Sequence, residues 1–249
     1  MPERVALVTG ASRGIGRAIA LALAASGVRV MATARDADAL ASLGEVAVCV
    51  AALEDPAGCA RVVEETRRRL GPIGVLVNCA GRGGWEDKPI WEQDREGWTA
   101  SLAVNLEAPF ELTRLAVPDM LAAGWGRIVM IASTAGQVGA PAQAPYCASK
   151  HGVIGLMRSV AQDVAPFGVT CNAVLPGWVR TEMAERDAER EAGERGLDTE
   201  AVWAERAAGY PSGRVVEAEE IARVVGFLAG DGASAVNGEA ITVAHGSSW

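Results

Sequence analysis

The chain has 249 residues, half of them apolar, and a formal net charge of −8. That balance argues against a nucleic-acid partner, since no basic run exceeds Arg67-Arg68-Arg69 and phosphate neutralisation needs clustered cations. No apolar stretch approaches the ~20 residues that span a bilayer, and five cysteines without ligand spacing beside two histidines argue against a zinc site, so a reduced, cytoplasmic protein without metal is expected.

From the N-terminus, VALVT (5–9) reads as a first strand rather than a secretory leader and runs into TGASRGIG, with Gly10, Gly14 and Gly16 spaced G-x-x-x-G-x-G. Glycines let a backbone turn sharply and approach a pyrophosphate. The helix that follows, over 15–26, offers free N–H groups and the positive end of its dipole. The second strand, VRVMATA (28–34), ends without the acidic residue that would bind the ribose hydroxyls of NAD. Ala34 and Arg35 stand there instead, and Asp36 is placed to cap the next helix. Arg35, with Arg13 from the glycine loop, would close on a 2′-phosphate as a charge-assisted clamp, which favours NADP(H) over NAD(H). The bland alternatives are a plain strand–helix turn and a solvated surface arginine.

Strands follow at 46–50, 74–78, 127–133, 169–175 and 240–244, several continuously apolar as strands covered on both faces are. Helical patterns lie between them at 56–70, 96–123, 145–165 and 217–229, with the arginine run on a solvated face near a helix C-terminus. Strand–helix alternation predicts a parallel sheet wound in right-handed crossovers. With no internal repeat, linker or composition break, one domain over 1–249 is expected. Residues 182–210 break the rhythm as a charged insert of one or two short helices. It follows the sixth strand on the edge where open sheets bind ligands, so a substrate lid is preferred over a surface hairpin.

The chain has only two lysines among its 23 basic side chains, Lys88 and Lys150, and Lys150 falls four residues after Tyr146 in APYCASKHGV. Four residues apart, the pair shares one helix face. A phenol ionises near pH 10 on its own, and a nearby ammonium is expected to bring that value toward the working range. A permanently charged arginine could not join a proton relay, so a lysine is the residue such a site requires. The alternative is a core tyrosine beside a snorkelling lysine.

Together the motifs resemble the classical short-chain dehydrogenase/reductases over nearly the whole chain: TGASRGIG (9–16), NCAG (78–81), VNLEAPF (104–110), IAS (131–133), YCASK (146–150) and PGWVRT (176–181). The resemblance implies a doubly wound Rossmann fold, α/β, with a seven-stranded parallel sheet and helices on both faces. It implies an active-site tetrad of Asn105, Ser133, Tyr146 and Lys150. Tyr146 would protonate the substrate oxygen, Ser133 would hold it, Lys150 would tune Tyr146 and bind the nicotinamide ribose, and Asn105 would hold a relay water. NADPH would meet Gly10, Ser12, Arg13, Gly14, Ile15 and Gly16, then Arg35, Leu53, Asn78, Ala80 and Gly81, then Tyr146 and Lys150. Pro176, Gly177, Val179 and Thr181 would lie at its carboxamide end.

Two departures from the family pattern stand out. Ala52 in ALED (52–55) replaces the family's adenine-contacting Asp, and VAHGSSW replaces the family's terminal V-D-G-G. Cys79 and Cys147 read as packing residues. Within the family, 126–155 and 172–183 are similar to aromatic polyketide ketoreductases. GRGGWEDKP (81–89) lacks the Pro-Gly-Gly element of carrier-tethered enzymes, which points to a free polycyclic ketone of angucycline type. Trp85, Gln143, Trp178, Met183 and Trp203 are the expected substrate-side residues, and a homodimer or homotetramer is expected. The rivals are a 3-oxoacyl carrier-protein reductase and, from another class, a non-catalytic dinucleotide sensor.

Overall fold

The computed structural model describes residues 4–83 and 88–247, so the expected substrate contact at Trp85 lies outside the described residues. Seven strands form one sheet: β1 Val5–Thr9, β2 Arg29–Ala34, β3 Ala47–Val50, β4 Val75–Asn78, β5 Gly126–Ile131, β6 Val169–Pro176 and β7 Ala240–Val243. Every pairing is parallel, in the order β3-β2-β1-β4-β5-β6-β7. Alternate residues of each strand serve opposite faces. Leu7, Met31, Leu76, Ile128 and Met130 pack with helices α3 Pro56–Leu70, α5 Ala108–Ala123 and α6 Ala144–Val164. Ala6, Val8, Val30, Val77 and Val129 face α1 Gly14–Ala25, the short α2 Ala37–Ala41 and α9 Ala218–Leu228. This is the parallel sheet the strand–helix alternation predicted, in the doubly wound, seven-stranded form the family resemblance implied.

Local chemistry sets the helix ends. Asp36 caps α2, its carboxylate accepting from the Ala39 N–H at 3.0 Å, as its position predicted. Asp55 caps α3 with Pro56 at the first helical position, and the arginine run closes the last turn of that helix. The pattern over 96–123 is not one helix. It divides into α4 Arg95–Leu102, a π-helical turn at Ala103–Glu107 and α5, which stops at the left-handed Gly124. A π turn inserts one residue into the helical repeat, and no glycine or proline in LAVNLEA (102–108) marks the place. The insert forms two helices, α7 Glu182–Arg195 and α8 Thr199–Ala208, around a small core of Ala188, Ala192, Val202 and Trp203. Among the described residues no helix is long and apolar enough to cross a membrane.

Candidate active site

The strand order reverses between β1 and β4, and crevices for ligands open at such switch points, beyond the C-terminal strand ends. Thr9 braces the two loops there: its hydroxyl accepts from the N–H groups of Cys79 and Ala80, both at 2.9 Å. Gly10 is left-handed (φ +64°), and a β-carbon on it would lie 2.8 Å from Ala80 Cα, so only glycine fits. Gly14 is also left-handed, and a β-carbon there would sit 3.1 Å from Thr181 Cγ2, so the loop after β6 closes over the glycine turn.

Arg13 occupies the N-cap of α1 but makes no side-chain cap, and no acidic residue stands in the first turn. The N-cap of α1 thus supplies no side-chain acceptor to its first N–H groups, and the nearest carboxylate, Glu182 Oε2, lies 3.7 Å from a β-carbon built on Gly14. An uncapped helix N-terminus is the arrangement a pyrophosphate fits. At the end of β2, Arg35 is 72% exposed and meets Glu54 at 3.4 Å. Arg13 is exposed beside the cradle, Ser12 and Ile15 are half-buried, and Leu53 is buried in the loop after β3.

The tetrad residues converge on this crevice. Ser133 lies two residues past β5 and caps a 3-10 turn, its hydroxyl accepting from Ala135 N–H at 3.1 Å. Gly136 lets that turn press on α6, since a β-carbon there would stand 2.8 Å from the Lys150 carbonyl oxygen. Ser133 then hydrogen-bonds Tyr146. One turn on, Lys150 is 5% exposed, and its ammonium donates to the Ile131 carbonyl at 2.9 Å. Gly81 borders the same ammonium, its would-be β-carbon 3.7 Å from Lys150 Nζ, which connects the tetrad to the Gly10–Ala80 contact.

Asn105 sits in the π turn, buried. Its Oδ1 accepts from Arg82 N–H at 2.7 Å, and its Nδ2 donates to the Arg82 carbonyl at 2.9 Å and the Ser149 hydroxyl at 3.0 Å. The extra residue of the π turn thus aims an amide between the β4 loop and α6. Asn78, at the end of β4, donates to Thr113 Oγ1 and Met130 Sδ beneath the crevice.

Burial sets the protonation states. It pushes Lys150 down from 10.5 to about 8. Tyr146 moves opposite to the sequence expectation: burial raises the phenol above its ordinary value, and the Ser133 hydrogen bond opposes this. The reason is geometric. The ammonium lies 5.7 Å from the centroid of the Tyr146 ring and spends a donor on Ile131, so desolvation outweighs it. Burial also holds Cys79 up at about 12, despite the nearby Lys150, which keeps that thiol protonated.

Of the expected substrate-side residues, Gln143 is the N-cap of α6, directly after Ala142 in a left-handed conformation. Met183, in the first turn of α7, faces Gly83 across the mouth, its sulfur 3.4 Å from a β-carbon built there. Trp178 is half-buried in the β6–α7 turn, with Pro176, Gly177 and buried Val179 around it. Trp203 does not offer a flat wall. It is 4% exposed in the core between α7 and α8, its indole N–H donating to Glu185 at 2.9 Å, because the two lid helices need an apolar seam of their own. The C-terminal segment 242–247 borders a cavity of about 530 Å³ with Thr134, Gln137 and Val138, immediately past Ser133. Sequence reasoning missed Thr9, Gly136, Arg206 and Tyr210. Scarcity was an available signal for Tyr210, one of only two tyrosines.

The family described as short chain dehydrogenase matches residues 4–192. The ketoacyl reductase 1 assigned to the granaticin polyketide synthase of Streptomyces violaceoruber is 42% identical, over 97% of this chain and 92% of its own. The 3-oxoacyl-[acyl-carrier-protein] reductase FabG of Escherichia coli (strain K12) is 36% identical, over 98% of this chain and 96% of its own. Among solved structures, a single-substitution variant of the actinorhodin polyketide ketoreductase with NADPH superposes with a TM-score of 0.94 at 37% identity, covering 99% of this chain and 98% of that one.

Proposed function

The chain belongs to the short-chain dehydrogenase/reductase family, an oxidoreductase acting on C=O and CH–OH groups, and on that premise we propose that it uses NADPH to reduce a ketone on a bulky, flat, polyketide-type ring system to a secondary alcohol. The observation that carries this reading is the meeting of Ser133, Tyr146 and Lys150 with an uncapped, glycine-lined helix N-terminus across one switch point. When bound, NADPH supplies a hydride to the carbonyl carbon. Tyr146, kept protonated by burial, delivers the proton to the carbonyl oxygen, and Ser133 hydrogen-bonds that same oxygen. Lys150, titrating at about 8, can return a proton to Tyr146 as an arginine could not, and Asn105 donates to the Ser149 hydroxyl beside it. Hydride and proton together make the alcohol.

The preference for NADPH is supported by Arg35, just past β2, and by Arg13 at the N-cap of α1. An exposed pair such as Arg35–Glu54 is worth about 0–1 kcal/mol, so a phosphate can displace Glu54 at small cost. A flat substrate is supported by Met183 at the mouth and by the similarity to polyketide ketoreductases. The similarity to FabG favours a second reading, a reductase of 3-oxoacyl carrier-protein thioesters. Initial rates of NADPH and NADH oxidation, on a fused-ring ketone and on a 3-oxoacyl carrier-protein thioester, separate the two. Turnover confined to the thioester refutes the flat-ring reading, and no turnover on either refutes the reductase reading. We read the chain as one domain with 182–210 as its lid, assembled as a dimer or tetramer. Half-exposed Phe110 on α5 supports the assembly, and a monomer by light scattering at micromolar concentration would refute it.

A further inference from the structure

Trp178 lies between Gly177 and Val179, in the turn that the proposed reading places at the carboxamide end of the cofactor. Groups from the end of the lid and just beyond it hold this residue. The Tyr210 hydroxyl accepts a hydrogen bond from the Trp178 N–H. The Val216 N–H donates to the Trp178 carbonyl at 2.9 Å, and Val179 bridges to Val216. The Arg206 guanidinium stacks 3.7 Å from the centroid of the Trp178 ring. Tyr210 also closes the space over Gly177, where a β-carbon would lie 3.1 Å from Tyr210 Cζ.

Arg206 is bound just as firmly to the lid. Its side chain is 7% exposed, and its guanidinium donates to Asp187 at 2.7 Å, Glu191 at 2.9 Å and the Ala184 carbonyl at 3.3 Å, all on α7. One buried cation therefore joins α7, α8 and the indole of the turn. Toward the sheet, the turn is tied through the Gly177 N–H, which donates to the Val243 carbonyl at 3.1 Å. A planar guanidinium can stack and fork at once, which an ammonium cannot.

We propose that Arg206 and Tyr210 are positioning residues that clamp Trp178, so that the placement of the 176–181 turn depends on the placement of the lid. The proposal rests on reading that turn as the cofactor's. By linkage, whatever orders the lid then tightens NADPH, and NADPH orders the lid. Neither residue needs to touch cofactor or substrate.

The test uses Tyr210→Phe, which removes only the hydroxyl, and Arg206→Lys, which keeps the charge and loses the stacked fork. Hydrogen exchange in the cofactor-free protein should speed up on the order of tenfold over 176–181 in both variants while β5 stays unchanged. NADPH titrated without ketone should bind about 5–20-fold more weakly to each, and the double variant should lose less than the product of the two single losses. Variants with a lowered thermal midpoint but wild-type exchange at 176–181 and wild-type NADPH affinity would overturn the clamp and leave these residues as lid packing. If Arg206→Lys does not fold, Tyr210→Phe carries both readouts. If the wild-type protein does not bind NADPH, the reading of the site falls, while the exchange measurement still decides the clamp.

Discussion

Lys150→Met tests how uncomfortably the buried ammonium is held. Burial lowers its pKa from 10.5 to about 8. Between those values the unfolded chain still binds the proton and the folded chain has released it. The unfolded state then binds more protons, and this group's contribution to stability rises with pH. Below the folded pKa both states carry the proton and the gain is absent; above the unfolded pKa both have lost it and the gain is complete. The complete gain is about 3 kcal/mol at about 1.4 kcal/mol per pH unit, of which about 2 kcal/mol accrues between about pH 7 and 9.5.

Cys59, Cys79 and Cys171 act in the opposite sense. Burial raises each of them, so the unfolded chain gives up those protons first. Each removes on the order of 1 kcal/mol by about pH 9.5, so in the wild-type profile alone the thiols mask the Lys150 gain. The thiols cancel in the difference between wild type and variant. Losing the donor to the Ile131 carbonyl adds only a constant offset. Urea unfolding at fixed protein concentration, under reductant, should therefore show the wild type gaining about 2 kcal/mol on Lys150→Met from about pH 7 to 9.5. Parallel profiles would mean that Lys150 has an ordinary pKa in the folded protein, and the proton-return role would go with it.

Tyr146→Phe should cut kcat by about 10²–10⁴-fold with NADPH affinity nearly unchanged, and wild-type turnover in a steady-state assay would remove Tyr146 from the acid role. Gly10→Ala forces a side chain into left-handed backbone against Ala80 and should cost roughly 2–5 kcal/mol by chemical denaturation; a variant as stable as wild type would contradict the close approach. Arg35→Ala should weaken NADPH more than NADH by about 1.5–3 kcal/mol in a binding titration, and equal changes for both would remove Arg35 from the phosphate clamp.

The strands were legible because parallel strands buried on both faces leave continuous apolar runs, and VALVT and RIVMIAS are such runs. The cap at Asp36 was legible because a side-chain cap is a local event. Strand order is not local, and nothing in an apolar run names its neighbour. The π turn within 96–123 was hidden because no glycine or proline in LAVNLEA (102–108) marks it. Tyr146 and Lys150 stood out through scarcity and spacing, but their protonation follows from depth and from a carbonyl on β5, fifteen or more residues away in the chain. Trp203 was misplaced for a related reason: charged helices gave no hint that they carry a core of their own. Arg206 looked like one surface charge among many, and only its burial beneath Trp178 sets it apart.

The pairing of β1 with β4 bears on how the chain is made. Val5–Thr9 is made well before its partner Val75–Asn78, which follows β2, α2, β3 and α3. The Thr9 brace and the Gly10–Ala80 contact have nothing to close on until then. Until β5 follows, β4 presents a bare, apolar hydrogen-bonding edge, the kind of surface on which nascent chains associate wrongly. The nucleotide cradle is thus begun at β1 and cannot close on Ala80 until β4 has been made. A slow stretch of translation placed just after β4 would prolong the most exposed moment in the life of the chain.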